Sequence, residues 1–271
     1  MSNTFLKWAG GKKWLVNNES YRFPKEFNRY IEPFLGGGSV FFYLEPQNAL
    51  LSDINQELID TFIAVRDELN GVLRNLNIHS RNHSKDYYYK MRNRRTRKSI
   101  TSAARMIYLN RACYNGIYRV NSQGGFNVPI GTTEKIIFNK EEFEKSSNAL
   151  KNAEIVCQDF QKTIDLAEQG DFLFCDPPYA VINEDERFVK YTADAFTWED
   201  QIRLSKALNR AKKRGVKIIM TNISHPAVKE LYENLNGFIL ETVERKCTIS
   251  GTLNGRKKYK ELIVSANINN N

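Results

Sequence analysis

Four consecutive residues, Asp176-Pro177-Pro178-Tyr179, combine a carboxylate, a stiff backbone turn and an aromatic ring. They follow Phe172-Leu173-Phe174-Cys175, a short apolar run that predicts a buried strand ending at the carboxylate. Neither proline has a backbone N–H and both fix φ, so the turn must stop the strand. Oxygen acceptors beside a ring that can stack form a clamp for a planar base with an exocyclic amino group. The simpler alternative is a proline turn with Tyr179 as core filler.

A second pattern lies near the start of the chain. Residues 30–34 predict a strand, 35–39 a glycine loop that enters a helix, and 48–52 a second strand that ends at Asp53. Strand, glycine loop, helix, strand and acid form the opening of a nucleotide-binding βαβ unit. The loop is neither a strict dinucleotide fingerprint nor a P-loop, so a nucleoside without a pyrophosphate fits at least as well.

Composition limits the class of protein. The chain has 271 residues, of which 41% are hydrophobic, enough for one large α/β domain or a core with an inserted module. It has no membrane-length apolar stretch and no secretory signal, so we expect a cytoplasmic protein. The net charge of +9 favours a polyanionic partner such as nucleic acid. Basic residues cluster at 92–98 and 256–260.

The cysteine and histidine residues do not indicate a metal site. The cysteines at 113, 157, 175 and 247 form no Cys-x-x-Cys pair, so we expect reduced, mostly buried thiols and no zinc or dithiol chemistry. His79 and His83 lie four residues apart, but no third ligand accompanies them. We therefore predict that both lie on a solvated helix face.

The α/β pattern is interrupted in the middle of the chain. Helical periodicity dominates at 57–69 and 102–112, and residues 114–129 form a glycine-punctuated loop or hairpin rich in aromatic, amide and arginine side chains. The α/β pattern returns after residue 152, with a helix capped by Thr197 and two closing antiparallel strands at 238–245 and 259–266. We predict a sheet domain from residues 1–56 and 146–271, with 57–145 as a mainly helical insert.

Five ordered motifs resemble those of the Dam-type DNA adenine methyltransferases. They are FLKWAGGK at 5–12, EPFLGGGS at 32–39, SDIN at 52–55, the stretch at 110–131 with YNG and FNVP, and DPPY at 176–179. The resemblance covers nearly the whole chain. It departs from the family at Gly37, where alanine is common, and is weakest at 69–99 and 248–258. Both of these stretches could contact DNA, so the resemblance says least about which outer bases of a target are recognised.

The resemblance implies a Rossmann-like α/β methyltransferase domain with an inserted, mainly helical DNA-recognition domain that carries a β-hairpin. It implies S-adenosylmethionine as methyl donor, double-stranded DNA as partner, no metal and a monomer. The catalytic residues it implies are Asp176, Pro177, Pro178 and Tyr179. The cofactor residues it implies are Trp8, Lys12, Phe34, Gly36, Gly38, Asp53, Asp159, Phe160 and Asp176. The DNA-contacting residues it implies are Lys7, Arg95, Arg97, Asn115, Ile117, Arg119, Asn121, Asn127 and Pro129.

The expected reaction is methylation of the exocyclic amino group of an adenine flipped out of the duplex. The expected target is GATC, with a longer site sharing the central bases, as in restriction-modification methyltransferases, as the alternative. Amino-cytosine methylation would use nearly the same clamp, but the motif order and the hairpin favour adenine. An RNA methyltransferase fits less well, because the major groove of A-form RNA is too narrow for such a hairpin. A non-catalytic DNA-binding relative is the alternative from another class of protein. The intact clamp at 176–179 and the cofactor residues argue against it.

Overall fold

The structure is a computed structural model that describes residues 4–8, 10–17, 23–96, 98–121, 123–179, 196–246 and 258–268. The helices in this part of the chain are α1 (Lys13–Val16), α2 (Ser39–Leu44), α3 (Gln56–Asp67), α4 (Leu69–Arg81), α5 (Lys85–Asn93), α6 (Ser99–Ala112), α7 (Lys140–Leu150), α8 (Phe160–Asp165), α9 (Trp198–Lys213) and α10 (Pro226–Glu233). The strands are β1 (Tyr30–Glu32), β2 (Ala49–Asp53), β3 (Ala153–Cys157), β4 (Phe172–Cys175), β5 (Lys217–Ile223), β6 (Ile239–Lys246) and β7 (Lys258–Ala266).

These strands form one mixed sheet in the order β3-β2-β1-β4-β5-β7-β6. The pairs β2–β3, β1–β4 and β4–β5 are parallel, whereas β7 runs antiparallel to both β5 and β6. The α/β class and the two closing antiparallel strands predicted from the sequence are confirmed. Parallel strands with helical connections are buried on both faces, which is why β4 consists of apolar residues alone.

By its internal contacts the chain divides into two compact units. The first comprises Met1–Arg22 and Leu35–Cys157, and the second comprises Phe23–Phe34 and Gln158–Asn271. The division predicted from the sequence, a sheet domain with residues 57–145 as a mainly helical insert, remains a prediction.

Helix α6 is the central helix of the first unit. Ala104, Ile107, Tyr108 and Leu109 are at most 1% exposed, and the helix packs against α3 and α4. A helix that is apolar nearly all round must be covered by neighbours on several sides. Helix α3 supplies one of these neighbours, and the side chain of Asn55 caps its first turn by accepting a hydrogen bond from the Leu58 N–H.

The N-terminal segment is tied to the first unit through Asn110 on α6. This side chain is fully buried, and its amide accepts from the Lys7 N–H at 2.8 Å and donates to the Lys7 carbonyl at 2.7 Å. It also donates to the Gly116 carbonyl at 3.2 Å. One buried amide therefore orders the FLKWAGGK motif and the YNG motif together.

In the second unit, helix α9 begins as predicted from the sequence. The Thr197 hydroxyl accepts from the Asp200 N–H, and the Asp200 carboxylate accepts from the Thr197 N–H, which completes a capping box. The helix ends at Lys213, and Gly215 follows with a φ of 85°.

The prediction that His79 and His83 lie on a solvated helix face is wrong. His79 is only 8% exposed, its ring stacks on Tyr108, and its Nδ1 is 2.8 Å from the Tyr87 hydroxyl. His83 is half-buried and lies 2.8 Å from the Tyr108 hydroxyl. The sequence pattern missed this because the aromatic partners come from α5 and α6, which only the tertiary structure brings to α4.

The environment of His79 predicts a pH-dependent stability. Burial, reinforced by Arg94 and Arg105, lowers its pKa from 6.5 to about 4. Between these two pKa values His79 is protonated in the unfolded state but not in the folded state. Stability is therefore lost as the pH falls from 6.5 toward 4. Between pH 7 and pH 5 this single group should lower the free energy of unfolding by about 2 kcal/mol. Denaturant titrations of wild type and His79→Gln at both pH values measure this loss. The wild type should lose about 2 kcal/mol more than the variant, and an equal loss in both would contradict the assignment.

Candidate functional site

The glycine loop of the first unit is shaped by Trp8. Gly36 and Gly38 have positive φ values of 46° and 65°, a conformation that side chains with a Cβ rarely adopt. A Cβ added at Gly36 would lie 2.8 Å from Cδ1 of the Trp8 indole. Gly36 is therefore required by both the turn and the ring that packs on it, whereas Gly38 is required by the turn. Gly36 of the loop and Trp8 of the N-terminal motif, two predicted cofactor residues, are thus in contact.

Asp53 closes this cluster at the end of β2. Its Oδ2 accepts from the Gly36 N–H at 3.0 Å, and its Oδ1 accepts from the Asn55 N–H at 3.0 Å. Burial raises the pKa of Asp53, and the backbone donors oppose that rise. The Ile54 backbone N–H is a third donor to this carboxylate. A carboxylate has about four lone-pair sites, so acceptor capacity remains for a ribose hydroxyl.

Two more residues adjoin this cluster in sequence, one in the motif of Trp8 and one directly after Asp53. Lys12 is buried and donates from Nζ to the Gly10 carbonyl at 2.7 Å. Ile54, which the sequence analysis did not single out, is 69% exposed directly after Asp53. A large apolar side chain left exposed beside the acid predicted to bind a nucleoside is a candidate for contact with a ring, and its position after the acid was the available signal.

The second unit carries an aromatic cluster beside Asp159. Phe34 stacks on Phe160 with ring centroids 5.2 Å apart, and Phe196 packs on both rings. Asp159 caps α8 by accepting from the Gln161 N–H. The structure therefore brings together the predicted residues Phe34, Asp159 and Phe160. It adds Phe196, which no pattern indicated.

Asp176 directly follows β4, as predicted. Its Oδ1 accepts a hydrogen bond of 2.8 Å from the hydroxyl of Thr221, a fully buried residue on β5. Pro177 is buried, Pro178 is exposed, and Tyr179 is half-buried. Thr221 was missed from the sequence, although a polar residue in an apolar strand next to β4 was a usable signal.

Cys175 adjoins Asp176 but has the properties of a core residue. It is fully buried, and burial, together with Glu32 and Asp176, raises the pKa of its thiol well above the ordinary value. A thiol that resists ionisation is a poor nucleophile. The expectation of a buried thiol is confirmed for Cys175 and for Cys113, whereas Cys157 is only half-buried. Cys247 lies outside the described residues.

Residues 113–131, the recognition loop, form an irregular hairpin. Antiparallel bridges join Cys113 to Ile130 and Val120 to Phe126. Near the tip, the Asn121 N–H donates to the Gly125 carbonyl at 2.9 Å, and the Asn121 side chain accepts from the N–H groups of Gln123 and Gly125. The predicted hairpin thus has paired arms, but isolated bridges replace continuous strands.

Several predicted DNA-contacting side chains lie exposed on this loop. Asn115, Arg119 and Pro129 are exposed, and the Arg119 Nε donates to the Asn127 side chain at 2.8 Å. Asn115 has a φ of 54°. The Lys7 side chain, from the N-terminal segment, packs against Gly116 of the loop. A Cβ added at Gly116 would lie only 2.6 Å from it. Ile117 is half-buried.

A hydrogen-bonded hub connects the recognition loop to the glycine loop within the first unit. The Tyr118 ring stacks on Trp8 at 5.1 Å, and its hydroxyl donates to Glu57 at 3.0 Å. Glu57 also pairs with Arg105 at 3.2 Å. Arg105 in turn donates to the carbonyls of Met91 and Arg92 at the end of α5. Sequence reasoning missed these residues, because their partners come from distant segments.

A cleft of about 670 Å³ lies beside this hub in the first unit. It brings together Arg95, Asn121 and Asn127, three predicted DNA-contacting residues from two segments of the chain. Its remaining lining residues are Glu57, Arg92, Asn93, Arg94, Thr96, Ser102, Arg105, Gln123, Gly124, Gly125 and Phe126. Arg97, also predicted to contact DNA, lies outside the described residues, as do Arg256 and Lys257 of the second basic cluster. The lining carries more positive than negative charge, so the cleft suits an anion.

Two kinds of feature are absent from the described residues. No group of three or more His, Cys, Asp or Glu side chains among them could hold a metal ion. No helix in the same residues has the length and hydropathy needed to span a bilayer.

Comparison with known proteins identifies the family. Residues 8–249 match the D12 class N6 adenine-specific DNA methyltransferase family. The chain belongs to this family. It is 37% identical to the type II methyltransferase M1.LlaDCHI of Lactococcus lactis subsp. cremoris, over 96% of this chain and 94% of that protein. It is 34% identical to the DNA adenine methylase of Haemophilus influenzae, over 96% of this chain and 92% of that protein. It is 31% identical to the DNA adenine methylase of Escherichia coli K12, over 97% of this chain and 94% of that protein.

The contact between Thr221 and Asp176 can be tested in the D12 methyltransferase reaction. Thr221→Val preserves shape but removes the hydroxyl that donates to the carboxylate. We expect the single-turnover rate to fall about tenfold, the effect of one lost hydrogen bond to a charged group. Thr221→Ser keeps the hydroxyl and serves as the matched control, with a rate near wild type. Equal rates for the valine and serine variants would show that the hydrogen bond is irrelevant to the reaction.

Proposed function

We propose that this D12 class methyltransferase transfers a methyl group from S-adenosylmethionine to the exocyclic amino group of adenine within GATC in duplex DNA, by base flipping and direct transfer. The observation that carries the proposal is Asp176, held by Thr221 on a two-proline turn at the end of a buried strand. A carboxylate in that setting can accept hydrogen bonds from an amino group without rearranging. We keep residues 57–145 as the DNA-recognition part and the rest as the catalytic part.

Asp176 and the Pro177 carbonyl would act on the target amino group. The lone pair of that nitrogen is delocalised into the ring, so it is a weak nucleophile. When these oxygens accept a hydrogen bond from each of the two amino hydrogens, the nitrogen turns toward tetrahedral geometry and its lone pair becomes localised. S-adenosylmethionine supplies an electrophilic methyl on a sulfonium, so positioning and electrostatics suffice and no covalent enzyme intermediate is required. Tyr179 would stack on the flipped ring and offset part of the few kcal/mol that flipping costs.

The residues of the two clusters suit the parts of S-adenosylmethionine. Asp53 has acceptors for ribose hydroxyls, and the Gly36 turn lets backbone approach a ligand closely. Trp8 packs on the Gly36 turn. Lys12 would act on the same ligand, and Gly38 would pass near the methionine portion. In the second unit, Asp159 has the acceptor and Phe34 and Phe160 have the ring surface that an adenine needs. Each cluster by itself thus suits one part of the cofactor.

The DNA side of the proposal is supported by the recognition loop and its cleft. Arg95, Asn121 and Asn127 line one cleft with excess positive charge, which suits a backbone phosphate. Arg119 uses Nε for Asn127, and the two terminal nitrogens of a guanidinium carry four further N–H groups. Those donors are sufficient for bidentate contact with the O6 and N7 atoms of a guanine. GATC contains such a guanine next to the target adenine.

A longer target that shares the central bases is the second candidate. The observation behind this candidate is the similarity to a protein named type II methyltransferase. A methylation assay on GATC duplexes with varied flanking sequence distinguishes the two, because a longer target would be methylated only in some flanking contexts.

The primary test uses labelled S-adenosylmethionine with two duplexes that differ only in GATC or a scrambled site. We expect label on adenine of the GATC duplex alone. Asp176→Ala should lower the rate by about three orders of magnitude, as for loss of one main transition-state contact. Thermal unfolding should remain near wild type. A folded Asp176→Ala protein that turns over normally would remove the catalytic assignment.

Arg119→Ala and Arg95→Ala form a matched pair for the DNA contacts. If Arg119 contacts a guanine bidentately, Arg119→Ala should cost about 1–3 kcal/mol of binding free energy at one base pair and relax discrimination there. Removing a phosphate contact should weaken binding on every sequence alike and reduce the salt slope by about 1. Equilibrium binding to GATC and to each single-base variant, at several salt concentrations, separates the two effects. A uniform loss for Arg119→Ala would make Arg119 a phosphate contact instead.

A further inference from the structure

Arg203 on α9 makes a concentrated set of contacts with the aromatic cluster of the second unit. Its two terminal nitrogens donate to the two carboxylate oxygens of Asp159 at 2.9 and 2.8 Å. The guanidinium carbon also lies 4.3 Å from the centre of the Phe160 ring. Asp200, part of the capping box of α9, accepts from Arg203 at 2.8 Å. One side chain therefore fixes both residues proposed to meet the cofactor adenine.

The hydrogen bonds to Asp159 leave room for a ligand. A carboxylate has about four lone-pair sites. Oδ1 accepts from Arg203 and from the Gln161 N–H, whereas Oδ2 accepts from Arg203. The remaining acceptor site is on Oδ2, and the forked guanidinium determines its direction, because a bidentate pair prevents the carboxylate from rotating.

Phe160 is held from more than one side. Its ring is only 6% exposed, with Phe34 stacked on it and the Arg203 guanidinium over it. Phe34 is half-buried. In this arrangement Phe160 backs Phe34, and Phe34 offers the more accessible ring surface to a base.

We infer that Arg203 is a positioning residue for recognition of the cofactor adenine, because it aims the remaining acceptor of Asp159 at the adenine amino group and holds Phe160 behind Phe34. The inference rests on the proposed function, which gives Asp159 its ligand. Arg203 does not itself touch the cofactor in this arrangement. Its effect should therefore appear as selectivity for the 6-amino group, since Asp159 can accept a hydrogen bond from an amino group but repels the 6-oxo group of hypoxanthine.

The same two helices contain a matched control. Arg210 lies two helical turns after Arg203 on α9 and forms a bidentate pair with Asp165 at the end of α8, with distances of 2.8 and 2.9 Å. The two arginines are similarly exposed, at 41% and 45% of their side chains. Arg210→Gln thus removes an equivalent ion pair between the same helices without touching Asp159 or Phe160.

The test measures calorimetric dissociation constants of full-length wild type, Arg203→Gln and Arg210→Gln for two probes. The probes are S-adenosylhomocysteine and S-inosylhomocysteine, which differ in carrying a 6-amino or a 6-oxo group. We expect wild type and Arg210→Gln to prefer the adenosyl probe by the same factor. Arg203→Gln should bind the adenosyl probe about tenfold more weakly, the effect of one misdirected hydrogen bond to a charged group, with little change for the inosyl probe.

The possible failures are distinguishable. Equal weakening of both probes by Arg203→Gln, or the same loss in Arg210→Gln, would reduce Arg203 to a structural ion pair and overturn the inference. Unchanged binding of both probes by Arg203→Gln would overturn it as well, while leaving the proposed function intact. If wild type bound neither probe, the proposed function and this inference would fail together.

Discussion

The ion pair between Arg105 and Glu57 joins several segments of the first unit. The Arg105 side chain is only 11% exposed, and it holds the end of α5 through two backbone carbonyls while it neutralises Glu57. Glu57 in turn accepts from Tyr118, whose ring stacks on Trp8. The Glu57 side chain is 30% exposed, so the pair is partly buried, and removing one member would leave the other charge without this partner.

This hub explains why segments far apart in sequence have fixed positions within the first unit. The basic run begins where α5 ends, the recognition loop passes through Tyr118, and Trp8 packs against the turn at Gly36. Elements predicted to bind DNA and elements predicted to bind the methyl donor therefore share one network. A carboxylate performs positional chemistry only when its neighbours restrict it, and the backbone N–H groups of Gly36 and Asn55 restrict Asp53 in this way.

The second unit follows the same principle with different residues. Thr221 fixes Asp176 from the neighbouring strand, and Arg203 fixes Asp159 from the neighbouring helix. In both cases the residue that supports the carboxylate has no motif of its own. Such residues are chosen by their distance from the site in space, so their separation in sequence carries little information.

The sequence alone determined the family, the α/β class and the carboxylates at the ends of β2 and β4, because apolar runs, glycines and prolines act locally. It also placed the cap of α9 at Thr197. Only the tertiary structure decided that His79 is buried, that Arg95 shares a cleft with Asn121, and which side chains support Asp159 and Asp176. Those outcomes depend on which helices and strands become neighbours, and packing between distant segments leaves no local pattern in the chain.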